Sequence, residues 1–232
     1  YLDNLSPFAL QESWDNSGLI VGDWSKEIDT VIISLDIDFE VLNNAPNNSL
    51  FIVHHPLIFR GLKQLDYSIY PSNLLAIMIQ KNIACIAMHT NFDQTHLNDY
   101  VAEKILGYPI LEKDGFITYF MVNKPFDNFA KEIQDRLNLS VLKVVKQHQF
   151  IEKCALVTGS GASLLSRINA DCFLTGDVKY HDAMEAIALK QSIIDIGHYE
   201  SEAYFTDILQ HDLEKLGLSV IISPTKNPFT YL

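Results

Sequence analysis

Only three of the 232 residues are cysteine, and Cys85, Cys154 and Cys172 stand far apart, each inside an apolar run (IACIAM, KCALV, DCFLT). A set that is odd in number and scattered excludes a disulfide framework and fits a reduced, cytoplasmic setting. Long hydrophobic runs are also missing. The best candidate, Ile79 to Met88, is broken by Lys81 and Asn82 and falls short of the roughly 20 residues a membrane helix needs. Nothing at the start has the basic-then-apolar form of a signal peptide, so neither export nor a membrane partner is expected. Positive charge is scarce, with 17 Lys and Arg against 29 Asp and Glu and a net charge of −12. Without a cationic cluster, affinity for a phosphate backbone has no source, which argues against a nucleic-acid partner. The chain has no G-x-x-x-x-G-K-[ST] loop, no low-complexity tract and no repeat of 20 to 50 residues, which disfavours P-loop nucleotidases and solenoids.

What is present is an α/β pattern. With 48% hydrophobic and 20% charged residues the chain can bury a sizeable core. Short β-rich runs cover Thr30 to Leu35, Leu50 to Val53, Ile83 to Met88, Cys154 to Val157, Cys172 to Leu174 and Ser192 to Ile196. Between and after them, helical spacing predicts helices over Ser72 to Lys81, Leu97 to Leu106, Phe126 to Leu137, Gly161 to Ile168, Asp182 to Leu189 and Ser201 to Leu216. The stretch Ile117 to Val145 reads strand, helix, strand. A soft boundary near residues 111 to 116 gives a first subdomain over 1–111 and a second over 112–232, with the last strand and helix free to return to the first half. FIVHHPLIF and CFLTGDVKYHDA share the form of an apolar strand entering a His-bearing polar loop, a hint of two related halves.

Chemistry gathers at strand ends. His54 and His55 follow an apolar strand and precede Pro56, where the bending chain can turn both imidazoles to one side. A second apolar run ends in His89 with Asp93 four residues on, and a third ends at Gly197 and His198 with Glu202 four residues beyond. In an opening helical turn that spacing puts imidazole and carboxylate on one face. If the strands are parallel neighbours, the groups converge at their carboxyl ends. Imidazole and carboxylate without thiolate suit Zn²⁺, Mn²⁺, Fe²⁺ or Co²⁺. Five donors, His54, His55, Asp93, His198 and Glu202, exceed what one catalytic zinc takes, so two metal ions fit better. His89 is read as a residue standing behind Asp93 rather than as a ligand. Trp14, in ESWDNSGLIVGD, is expected to be a buried aromatic next to a turn. In TGSGAS, Gly159 and Gly161 either cradle an anion at a helix start or form a capping turn. Lys179 and His181, in TGDVKYHDAMEA, either face the same crevice or pack locally.

The strings ESWDNSGLIVG, HHPLIF, HTNFD, TGDVKYHDAMEA and GHYESE, in this order, resemble the GTP cyclohydrolase 1 type 2 homologue family over nearly the whole chain. The resemblance implies two related α/β subdomains with mixed sheets flanked by helices, a dimetal site in the cleft between them, and a toroidal homohexamer. It assigns His54, His55, Asp93, His198 and Glu202 as ligands of two divalent metal ions. Where the family's pattern has Thr before the His pair this chain has Val53, and the Gly-rich stretch after Asp93 is shortened to QTHLND. No room remains for the extra domain some members insert. The activity implied is hydrolysis of the nucleotide GTP to formate and dihydroneopterin triphosphate through metal-activated water. His89 or His181 would then move a proton and Lys179 would meet phosphate, with Gly159 and Gly161 near the substrate. Two rivals share the same motifs: another dimetal hydrolase acting on a phosphate ester or small amide, and a non-enzymatic metal-handling or scaffold protein.

Overall fold

A computed structural model describes residues 1–215, 220–224 and 226–231. The chain divides into two compact units, Tyr1–Phe92 with Phe205–Lys226, and Asp93–Tyr204 with Asn227–Leu232. The expected boundary at residue 111 differs from this division, and the reason is local. Residues 93–105 are helical and tie themselves to the second sheet. Asn98 donates to the Phe116 carbonyl at 2.9 Å and accepts from the Thr158 amide at 2.7 Å, while Lys113 pairs with Asp99 at 2.8 Å.

In the first unit, β1 (Gly18–Val21), β2 (Thr30–Ser34), β3 (Ser49–Val53), β4 (Ala84–Ala87) and β11 (Val220–Ile222) form a mixed sheet in the order β1-β4-β3-β2-β11. β2, β3 and β4 run parallel, with Ser34 opposite Val53 and Val53 opposite Ala87, so the three strands end level. Val, Ile and Phe dominate them because both faces of a parallel strand are covered. Phe51 and Val53 lie in a core completed by Leu42, Leu74 and Met78. Two of those residues come from the helix Ser72–Gln80. The helix Phe39–Asn44 is capped at its start by Asp38, which accepts from the Val41 amide. Its far end is held by Lys81, whose ammonium donates to the carbonyls of Leu42, Asn43 and Ala45 at 2.8 to 3.0 Å. The helix Phe205–Glu214 and β11 belong to this unit. Part of the helix predicted over Ser201 to Leu216, namely Leu216, lies outside the described residues.

The second unit holds β5 (Ile110–Asp114), β6 (Ile117–Pro125), β7 (Lys143–Val145), β8 (Phe150–Leu156), β9 (Cys172–Thr175) and β10 (Ser192–Asp195), ordered β5-β6-β8-β9-β10-β7. Here β8, β9 and β10 are the parallel set. The helix Phe126–Arg136 starts after Pro125 and buries Phe126, Phe129, Ala130 and Ile133, the i, i+3, i+4, i+7 stripe of an amphipathic helix. The predicted helix over Gly161 to Ile168 is a tighter 3₁₀ turn, Ala162–Arg167. Residues 90–105 are one helical run in which α segments alternate with π segments at Asp93–Leu97 and Val101–Ile105.

The first sheet thus contains four parallel strands, β11, β2, β3 and β4, and the second three, each with an antiparallel strand beside the last, β1 on β4 and β7 on β10. The two chain positions after β4 and β10 carry the same pattern, an imidazole with a carboxylate four residues later: His89 with Asp93, and His198 with Glu202. The fold is α/β, with two mixed sheets flanked by helices. The His198 strand belongs to the second sheet rather than standing beside the strands of His54 and His89, which corrects the picture of three neighbouring strand ends.

Candidate metal centre

In the first unit the level ends of β2, β3 and β4 set the geometry. The amides of His54 and His55 both donate to the Leu35 carbonyl, at 3.2 and 3.1 Å, and the Met88 amide donates to Val53 at 2.8 Å. The chain leaving β3 is held there while β4 delivers His89 alongside. The rings of His54 and His55 lie 5.0 Å apart, with His89 5.1 Å from the first and 5.7 Å from the second. One donor atom from each of the three lies within 4.8 Å of the others. His89 therefore lies beside the His54–His55 pair, close enough for the three rings to form one group.

Each ring is fixed through Nδ1. His54 donates to the Met88 carbonyl at 2.8 Å, His55 to Asp36 at 2.7 Å and His89 to Asp15 at 2.7 Å. Asp15 also accepts from the Thr90 amide and hydroxyl. Burial pushes its carboxyl up, but the hydrogen bond and charge of His89, with Thr90 and the Asn16 amide, outweigh that and hold it well below the usual carboxylate range. It stays ionised and keeps the proton of His89 on Nδ1. Trp14, next to Asp15, is 57% exposed, against the expectation of a buried ring. The turn sends the Asp15 carboxylate inward to His89, and the side chain before it goes outward.

In the second unit, the chain leaving β8, β9 and β10 runs through Thr158–Gly159, Gly176–Asp177 and Gly197–His198. His198 opens the short helix His198–Glu202, so its ring and the Glu202 carboxylate share a face, with Nε2 to Oε2 at 3.0 Å. Its Nδ1 donates to Asp177 at 2.7 Å. Burial alone would push the His198 pKa down, but the hydrogen bonds and charges of Glu202 and Asp177 push it up to about 9. Asp93 is buried, and the Thr158 hydroxyl lies 3.5 Å from its Oδ1 and 2.9 Å from Asn98 Oδ1.

The glycines have a different role from an anion cradle. The Gly159 amide donates to Ser201 Oγ and the Gly161 amide to Thr175 Oγ1, at 3.0 and 2.7 Å, so both are already engaged. A Cβ on Gly159, whose φ is +62°, would sit 2.1 Å from Glu202 Oε1. The residue is glycine because the carboxylate occupies that space. Lys179 and His181 open the exposed start of the helix Tyr180–Ala188, where the Lys179 amide donates to Asp182 and the His181 ring meets Tyr180 edge-on. In that motif it is Asp177, not Lys179 or His181, that touches a predicted ligand. Sequence reading missed Asp15, Asp36 and Asp177, since an aspartate near glycine or serine signals a turn before it signals an imidazole partner.

The donor set fits a borderline divalent cation. It offers imidazole and carboxylate only, and a ring nitrogen bound to a carboxylate or carbonyl is how proteins set the opposite nitrogen for coordination. All four imidazoles, His54, His55, His89 and His198, have that arrangement, whereas His96 and His148 have hydroxyl partners, Thr95 and Ser192. The thiols do not compete. Cys85, Cys154 and Cys172 are buried within strands, and burial pushes Cys85 up to about 12.

The sequence profile of the Duf34/NIF3 family (NGG1p interacting factor 3) matches residues 1–228. A GTP cyclohydrolase 1 type 2 homolog of Campylobacter jejuni is 50% identical over 232 residues, covering 100% of this chain and 96% of the relative. A GTP cyclohydrolase 1 type 2 of Helicobacter pylori is 47% identical over 229 residues, covering 98% and 94%. Among solved structures, a hypothetical protein of Staphylococcus aureus superposes with a TM-score of 0.84 at 28% identity, covering 100% of this chain and 96% of its own. Reduced HcgD from Methanocaldococcus jannaschii superposes with a TM-score of 0.81 at 26% identity, covering 95% and 93%.

Proposed function

Since the chain belongs to the Duf34/NIF3 family, we propose that it is a metal-dependent hydrolase of a purine nucleotide, with His54, His55, Asp93, His198 and Glu202 holding two divalent ions. The supporting observation is the orientation of the three ligand imidazoles, His54, His55 and His198: each presents its Nδ1 to a carboxylate or carbonyl, which leaves Nε2 for coordination. Relatives named GTP cyclohydrolase 1 type 2 support GTP as the substrate, and on this reading the products are formate and dihydroneopterin triphosphate. Bound metal would acidify water and polarise the atom under attack.

The protein's own residues do the rest. With Asp15 ionised and holding the Nδ1 proton, His89 Nε2 is placed to take a proton from water and return it to the departing nitrogen. Among the described residues His181 has no such orienting carboxylate, so His89 is the better proton carrier of the two. Asp177 fixes the His198 ring and Thr158 touches Asp93, so two of the donors are steadied by polar side chains. The toroidal homohexamer belongs to the same reading, as does a cytoplasmic location. Among the described residues no helix is long and apolar enough to cross a membrane.

The test is turnover. Chelator-treated protein reloaded with Zn²⁺, Mn²⁺, Fe²⁺ or Co²⁺ should release formate from GTP and generate pterin fluorescence. No formate with any of the four metals would overturn the hydrolase reading.

A further inference from the structure

Trp14 is 57% and Phe59 40% exposed. The two rings lie 5.8 Å apart, tilted by 57°. Both meet the His89 ring edge-on, Trp14 at 6.4 Å and Phe59 at 6.1 Å. A single exposed aromatic needs no explanation. Two that converge on one imidazole of a proposed metal group form a wall, and the wall leaves aromatic surface bare on the solvent side. Phe59 is followed directly by Arg60, and Lys63 comes three residues later, all exposed. In a chain of net charge −12, these two cations take part in no ion pair among the described residues.

We propose that Trp14 and Phe59 stack the planar ring of the substrate beside His89, and that Arg60 and Lys63 meet its phosphates. The ligand class is a phosphorylated heteroaromatic, recognised by a π face and by polyanionic charge. Aromatic side chains stack on any base, so the wall selects planarity, and the cations select the phosphorylated form over the free nucleoside. This rests on the nucleotide reading above and adds where the base and the phosphates lie.

The experiment reads binding apart from turnover. In a Trp24→Phe background Trp14 is the sole indole, so its fluorescence reports the wall. Zn²⁺-loaded and chelator-treated full-length protein are titrated with GTP, guanosine and inorganic triphosphate. GTP and guanosine should quench Trp14. In the Trp24-containing protein, followed by calorimetry, Trp14→Ala should weaken both by about tenfold or more, within the range for base stacking, and Trp14→Phe should restore most of the affinity. The double variant Arg60→Ala, Lys63→Ala should weaken GTP and inorganic triphosphate, leave guanosine within about twofold, and flatten the salt dependence. Unchanged GTP affinity in Trp14→Ala would overturn the proposal. So would equal losses for guanosine and GTP in the double variant, or a Trp14→Ala effect confined to oligomeric state. Formate release by the wild type is scored separately: quenching without formate retires the hydrolase reading and leaves the wall, and formate with unaltered KM in these variants does the reverse.

Discussion

Replacing Gly159 with alanine separates the cost of a backbone from the cost of a ligand. The residue has φ +62°, and its added Cβ would lie 2.1 Å from Glu202 Oε1, 3.1 Å from Glu202 Cδ and 3.7 Å from His198 Nε2. A comfortable contact needs more than about 3 Å, so the carboxylate oxygen must retreat by roughly 1 Å. Glu202 is the end of a flexible side chain, so that retreat costs little stability; the left-handed backbone costs about 1–2 kcal/mol. A ligand moved by that much should lose at least the 10- to 100-fold in metal affinity that misplaced supporting groups cost. Gly115 provides the matched control, because its φ is +58° and nothing lies within 4 Å of a Cβ there. Both variants, stripped of metal, should melt about 2–8 °C below the wild type. In competition against a chromophoric chelator, only Gly159→Ala should bind Zn²⁺ or Mn²⁺ more weakly. Equal affinities in the two variants would refute the placement of Glu202 as a ligand.

Three further outcomes follow from the same geometry. Asp177→Asn removes the carboxylate on His198 Nδ1, so in chelator-treated protein the His198 titration, followed by NMR, should fall from about 9 toward 6.5. Metal affinity should drop by about 10- to 100-fold with it. In the wild type the raised His198 pKa stabilises the metal-free fold below pH 6.5 and loses that effect as pH rises through about 9. Since metal must displace that proton, affinity should climb across the same window, by up to about tenfold per pH unit, and a flat profile between pH 6.5 and 8.5 would contradict it. Lys81→Met strips three carbonyls of their shared donor and should cost about 1–3 kcal/mol in urea denaturation without changing metal binding.

Much of the fold was legible because its central strands are written as uninterrupted apolar runs. Thr30–Ser34, Ser49–Val53 and Ser192–Asp195 lie where Val and Ile concentrate. The strand Gly18–Val21 was not, since it begins at a glycine and contains a bulge between Leu19 and Val21 that breaks the regular alternation. Ile110–Asp114 is mostly exposed and carries three charged residues in five, so its pattern resembles a loop. At the site, the imidazoles were visible because histidine pairs at strand ends carry a chemical signal of their own. Their orienting partners were not. His89 and Asp15 are 74 residues apart and His198 and Asp177 are 21 apart, and nothing local in the chain joins them. Lys179 and His181 drew attention as side chains with obvious chemistry, while Asp177, in the same motif, sits at φ +56° just after β9 and does the touching. The resemblance to the cyclohydrolase homologues identified the family because ordered motifs survive where single spacings are ambiguous.

The π segment at Asp93–Leu97 gives the helix a counting rule. With bonding from i to i+5, positions five apart come into line along one edge, and so the single hydroxyl of Thr158 reaches both Asp93 and Asn98. An ordinary α-helix would line Asp93 up with Leu97, a residue that is fully buried in the core. The spacing between the carboxylate and its brace is therefore an odd length in helical turns, fixed by one surplus residue. Deletion of a single residue inside QTH would turn the remainder of the helix by a full position and unseat either the brace or the core. In this chain the stretch should therefore tolerate substitution better than a change in its length.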